Sequence, residues 1–136
     1  KDYKTLVFDP DKGKITSDAI QELKVALSVE NQVGIVVGRA GKGSGADFAT
    51  TNGFIDVKNA QKFIDAANGS PKEFMKLVGT IKANKDVKYV IDFKGSNMSG
   101  EEFQAVMNKF YKAGVDKSQI IYSSSKSVES TKVTTF

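Results

Sequence analysis

The chain has no cysteine and no histidine in 136 residues, and these two absences narrow its chemistry more than anything it contains. Without a thiol there is no disulfide to staple the fold, and no thiolate to act as nucleophile or metal ligand. Without imidazole, a Ser-His-Asp triad, a histidine zinc site and a histidine-driven ribonuclease mechanism are all excluded. Catalysis of any kind must run on carboxylates, lysine, arginine, tyrosine, hydroxyls or a bound metal. Arginine is nearly missing as well, appearing once as Arg39. Long apolar runs are also lacking. The longest, around Val33 to Val37, is too short to span a membrane, and no secretory apolar segment opens the chain. The first residue is Lys1 rather than Met, which points to a fragment of a longer polypeptide.

What is present describes one globular domain. Apolar residues make up 40% and charged residues 26%, the balance of a chain that buries a core rather than of a disordered tail. The length suits a single unit, 1–136, with the core at about 15–123 and a loose Ser-, Thr- and Lys-rich tail over 124–136. The net charge of +4 rests on lysine. It is compatible with a polyanionic partner, but many proteins share it.

Lys4 to Phe8 is apolar and β-prone and leads into a turn at Asp9-Pro10-Asp11-Lys12-Gly13. Ser17 or Asp18 can cap a helix with Ile20, Leu23 and Leu27 on one face, running to about Asn31. Three short β segments follow at 34–39, 46–49 and 54–58, the last two joined by an Asn-Gly turn at Asn52-Gly53. Gln61 to Ala67 reads as a short helix. Ser70-Pro71 opens a longer one, with Phe74, Leu77, Val78 and Ile81 on its buried side. Lys88 to Phe93 is a strand with an apolar centre. Ser99 and Glu102 form a capping box for a helix stopped at Gly114, and Gln119 to Tyr122 is a last strand. Val133 to Phe136 could add an edge strand. The expected architecture is α/β, with the order α-β-β-β-α-β, an α-β extension and parallel pairing across the strand–helix–strand connections.

One constellation in this order carries chemistry. Hydrolysing a phosphodiester without histidine calls for a hard cation. Mg²⁺ is held by two carboxylates and a backbone carbonyl while keeping several waters, one of which becomes the nucleophile. A lysine beside that water orients it and stabilises charge developing on the phosphorus. The sequence demand is an acid on one strand and acid-x-Lys on the strand paired with it. Asp47, followed across the Asn-Gly turn by Asp56-Val57-Lys58, meets that demand. Period-two alternation puts Asp56 and Lys58 on one face, with the Val57 carbonyl between them. Glu22 on the preceding helix is a further acid. Glu30 lies about 80° around that helix from it, so either could flank the site.

These residues resemble the PD-(D/E)xK nuclease superfamily, whose core has the same α-β-β-β-α-β order. The likeness is closer to the nuclease domains at the C-termini of bacterial polymorphic toxins, including contact-dependent inhibition effectors. It is carried by Glu22, Glu30-Asn31-Gln32, Gly45-Ala46-Asp47-Phe48, Gly53 and Asp56-Val57-Lys58. Tyr89-Val90-Ile91-Asp92, Ser99, Ala113-Gly114-Val115 and Ile120-Ile121-Tyr122 continue it. Ala46 stands where the superfamily pattern has proline. The resemblance implies a restriction-endonuclease-like core, a mixed sheet flanked by helices, and metal-dependent endonuclease activity. Asp47 and Asp56 would bind Mg²⁺ or another divalent ion, Lys58 would position the attacking water and Glu22 would assist. It further implies a toxin presented at the cell surface or secreted within a larger effector and acting in the target-cell cytoplasm. The substrate would be nucleic acid, with tRNA favoured over DNA. The partners would be a cognate immunity protein and, as in some relatives, elongation factor Tu.

Plainer readings stand beside these. Asp56 and Lys58 could be a solvated strand face carrying an ion pair of small value. Asp92-Phe93-Lys94 is a rival acid-x-Lys, but its place at a strand end before a loop suits a structural carboxylate. Gly38 to Ser44 invites a phosphate-loop reading that fails in register, since Val36 occupies the first glycine position and Gly43 follows Lys42. Arg39 and Lys42 remain candidates for contact with a nucleic-acid backbone. The rival classes are a non-catalytic binding module with incidental acids and a nucleotide-binding α/β domain using the glycine-rich loop.

Overall fold

A computed structural model describes residues 3–9, 12–41 and 44–123. Pro10 and Asp11 of the expected first turn, Lys42, the tail over 124–136 and the possible strand at Val133 to Phe136 lie outside the described residues.

The chain is mixed α/β, built on a five-stranded mixed sheet flanked by helices. It opens with a short helix α1 (Tyr3–Leu6) and a two-stranded ribbon, β1 (Phe8–Asp9) with β2 (Lys14–Ile15). The β-prone Lys4–Phe8 run is thus mostly helical. Leu6 is 3% exposed within a core cluster, and burying that one side chain outweighs the strand propensity of its neighbours. Two helices follow, α2 (Ser17–Ser28) and α3 (Glu30–Val33), where the sequence suggests one, with the break at Val29. The N-cap of α2 is Thr16, not Ser17 or Asp18: its hydroxyl accepts the Ala19 N–H at 3.0 Å.

Strands β3 (Val36–Arg39), β4 (Phe48–Thr50) and β5 (Gly53–Asn59) form an antiparallel unit. Helices α4 (Ala60–Asn68) and α5 (Pro71–Ala83) lead to β6 (Val87–Asp92), which pairs parallel to β5. Helix α6 (Gly100–Lys112) then returns the chain to β7 (Ile120–Tyr122), parallel to β6. The spatial order is β3-β4-β5-β6-β7. The turn between β4 and β5 requires glycine at Gly53. Its φ is +132°, and an added Cβ would lie 3.0 Å from the Asp86 carbonyl oxygen.

Each face of the sheet has its own core. Leu23, Val25, Ala26 and Val29 pack with Val36, Phe48, Ile55 and Val90 on the α2 side. Phe63, Val78, Ile81, Phe103, Met107 and Phe110 pack with Tyr89 and Ile91 on the other. The alternation along β5 follows. Ile55 and Val57 face α2, whereas Asp56 and Lys58, in register with Tyr89 and Ile91, face the α4–α6 side. No helix among the described residues is long and apolar enough to cross a membrane.

The helix starts follow their cap signals. Ser70 caps α5 with Pro71 at its first position, and Ser99 and Glu102 form a reciprocal capping box on α6. Ser99→Ala is therefore expected to cost about 1 kcal/mol in urea unfolding, and to leave any response of the domain to divalent metal unchanged, since α6 contributes nothing to the site below. This provides a purely structural reference for the site variants.

Candidate active site

The site forms where β4 stops short of β5. Strand β4 begins at Phe48, and Asp47 just before it continues the ladder with different atoms. Its backbone N–H donates to the Ile55 carbonyl at 2.9 Å, and its Oδ2 accepts the Val57 N–H at 2.8 Å. Asp47 is therefore not a strand residue, as the 46–49 segment suggested. The carboxylate takes the position a further β4 carbonyl would hold, and this fixes its rotamer. The N–H and C=O of one strand residue point to the same side, so the Val57 carbonyl is directed toward the same edge.

Asp56 comes to this edge from β5, close enough to engage the Asp47 carboxyl in a hydrogen bond. Lys58, two residues on, places its Nζ 3.1 Å from Asp56 Oδ2 and 5.9 Å from the Tyr89 ring centroid beneath it. The Lys58 and Asp56 side chains are 23% and 15% exposed. Burial pushes the Asp47 carboxyl up to about 8, with the Asp56 and Glu22 charges adding to the shift; the Val57 N–H opposes it. Glu22, reaching in from α2, is raised in the same direction, mostly by burial and against the pull of Arg39.

Arg39 answers part of this negative charge. Between Val36 and Gly38 the β3–β4 register slips by one residue, so Val37 bulges outward and the alternation beyond it reverses. The lone arginine is thereby turned onto the α2 face beside Val36 and Phe48. Its Nη1 lies 3.1 Å from Glu22 Oε1 and 3.9 Å from Asp47 Oδ1, and its Nε donates to the Leu6 carbonyl at 2.8 Å. The guanidinium stacks 4.4 Å from the Phe48 ring centroid. With 9% of the side chain exposed, Arg39 is committed to Glu22, with Asp47 at the limit of its reach. It faces inward rather than outward from the glycine-rich loop.

Of the two glutamates, Glu22 joins this group and Glu30 does not: Glu30 Oε2 accepts the Val36 N–H at 2.7 Å and ties α3 to the start of β3. Asp92 is 5% exposed and accepts from the Lys94 N–H at 2.9 Å and from Gln21 Nε2 at 3.2 Å. The second acid-x-Lys is accordingly a turn-stabilising carboxylate at the end of β6. Two neighbours have no signal in the sequence as site residues. Gln21 bridges α2 to Asp92, and Lys62 on α4 lines the clefts on both sides of the site.

The donor set can be tested against a divalent ion. Among the described residues no three acidic side chains are gathered closely enough to enclose a cation by themselves. Asp47, Asp56 and the Val57 carbonyl nonetheless present oxygen at one edge, which suits a small hard ion that keeps most of its waters. Asp47 is raised first by burial and then by the Asp56 and Glu22 charges, and a cation at this edge would relieve the second of these causes. No family model, curated protein or solved structure matches the chain.

Proposed function

We propose that this chain is a metal-dependent phosphodiesterase, an endonuclease with a restriction-endonuclease-like core that serves as the toxic domain of a larger bacterial effector. The observation that carries this reading is the meeting of the Asp47 and Asp56 carboxyls at one strand edge beside Lys58, with Asp47 pushed up to about 8. Strongly perturbed carboxyls cluster where chemistry is done. The element order α2, β3, β4, β5, α4–α5, β6, then α6 and β7 supports the core assignment.

Asp47 and Asp56 would hold Mg²⁺ or a similar ion together with the Val57 carbonyl. The chemistry such an ion supplies when bound is activation of the attacking water and neutralisation of phosphate charge. Lys58 orients that water from the Asp56 side and stabilises the extra negative charge of the transition state. Glu22, steadied by Arg39, faces the site from α2 and receives a proton or orders a water there. Lys42 stays a backbone-contact candidate from the glycine-rich loop. The toxin assignment rests on the sequence resemblance. It brings a tRNA substrate ahead of DNA, an immunity protein in the producing cell, recruitment of elongation factor Tu, and action in the cytoplasm of the target cell after presentation or secretion of the whole effector.

The test is cleavage of total tRNA and of plasmid DNA, each with Mg²⁺ and with chelator. Lys58→Ala should reduce cleavage by at least about 100-fold. Lys94→Ala should retain it, because only Lys58 shares a strand face with a site carboxylate. Plasmid cleavage with intact tRNA would make the domain a DNase. Metal-independent cleavage, or loss at Lys94 alone, would remove the proposed mechanism.

A further inference from the structure

Two clefts flank the active-site strand. One, of about 430 Å³, lies on the α2 side of the sheet end and is lined by Glu22, Val57, Asn59 and Lys94 among others. The second, of about 420 Å³, lies on the α4–α5 side, where Lys58 opens onto it and Lys76 stands in its wall. Each is within the range of about 300–1,000 Å³ that accepts a small ligand. Lys62, in the first turn of α4, borders both. It is exposed, so its ammonium is not drawn into the core.

We propose that the two clefts are the two halves of one substrate path, and that Lys62 binds a backbone phosphate of a polynucleotide next to the phosphate being cleaved. The inference rests on the nuclease reading and adds the course of the chain across the site. A compact ligand would occupy one cleft or the other. An extended polyanion laid from cleft to cleft must cross the first turn of α4, and Lys62 stands at that crossing. The catalytic strand has its residues divided between the same two clefts, Val57 in one and Lys58 in the other. A strand running between the clefts therefore passes the Asp56–Lys58 pair. Both clefts also hold acids, Asp18, Glu22 and Asp92 in the first and Asp65 and Glu73 in the second, which repel phosphate, so the path depends on the lysines, and Lys62 is the one that both clefts share.

The experiment measures binding alone, in a Lys58→Ala background so that no cleavage intervenes. Affinity for a fluorescent single-stranded oligonucleotide is followed against salt, with Lys62→Ala, Lys62→Arg and Lys85→Ala compared. Lys85 lies before β6, at the end of that strand opposite Asp92, and serves as the charge control. Removing one phosphate contact lowers the log–log salt slope by about 0.7 for a single strand. Lys62→Ala should show that loss, Lys62→Arg should restore it, and Lys85→Ala should keep the parent slope. Equal slopes for Lys62→Ala and Lys85→Ala overturn the path even if the domain cleaves RNA. A Lys62-specific slope in a domain that cuts no nucleic acid would uphold the path and remove the nuclease reading instead. No measurable binding by the Lys58→Ala protein also overturns the path.

Discussion

Asp56→Asn is expected to abolish cleavage while leaving the metal-free domain as stable as the parent or slightly more so. The two halves of that result have separate causes. Asparagine keeps the shape of the side chain but loses the charge that a divalent ion requires from its ligand, so activity falls to the metal-free background. Stability responds to two opposing changes. The ion pair with Lys58, 3.1 Å apart with side chains 23% and 15% exposed, is lost, at a cost above the about 0–1 kcal/mol of a fully exposed pair and below the about 3–5 kcal/mol of a buried one. Against it, Asp47 is freed of the Asp56 charge that raises its pKa, and relief of like-charge crowding is of similar size. Urea unfolding in chelator and a cleavage assay, on the same preparation, give both numbers. A loss of about 3–5 kcal/mol, the range for breaking a buried ion pair, would show that Asp56 is structural and that the site is misassigned. A function-linked residue instead trades stability for activity.

Much of this arrangement is legible in the residues, and the parts that are not have identifiable causes. The Asn-Gly turn, the Ser99–Glu102 capping box and Pro71 after Ser70 are local signals, and local hydrogen bonds satisfy them in the fold. The alternation Phe54, Asp56, Lys58 is equally local, and it holds because Ile55 and Val57 must face the α2 core. Asp47 and Arg39 are different. Both owe their positions to pairing between distant segments. Asp47 reaches Asp56 because β4 begins only at Phe48, and the Asp47 carboxylate completes the ladder at Val57. Arg39 reaches Glu22 because a bulge at Val37 reverses which face follows it. A bulge inserts one residue without any composition mark beyond a nearby glycine, here Gly38, so an unbroken reading of residues 34–39 aims Arg39 the wrong way. The N-terminal helix has the same origin: Leu6 is buried by a long-range core that no short window contains. Gln21 and Lys62 join the surroundings of the site through helix placement alone, and helix placement has no trace in residue spacing.

The absence of histidine makes the electrostatics of this site measurable with little interference. With no histidine, the chain has no side chain whose ordinary value lies between pH 5 and 8. Asp47, pushed up to about 8 from 3.8, titrates at the upper end of this window, and Glu22 is raised in the same direction. The sign follows from proton counting. Between pH 4 and 8 the folded Asp47 holds a proton that the unfolded chain has released, so the folded state binds more protons and stability falls as pH rises. The melting temperature of the metal-free domain should therefore decline from pH 5 to pH 8. Glu102 and Asp116 are lowered by the Ser99 and Ser118 hydrogen bonds, so they act below this window and leave its slope alone. A divalent ion needs the deprotonated form of Asp47, so its stabilising effect should grow over the same interval. In millimolar Mg²⁺ or Mn²⁺ the profile should flatten or turn upward, and the gap between the two curves should be widest near pH 8. Asp47→Asn should remove the metal response and most of the decline, leaving the share that Glu22 contributes. Thermal unfolding in chelator and in metal, at half-unit pH steps, checks all of this at once. A metal-free profile that is flat from pH 5 to 8 would mean that neither burial nor the Asp56 and Glu22 charges raise Asp47 in solution. A profile that declines but ignores the metal would leave Asp47 raised and take away the ion that was meant to deprotonate it.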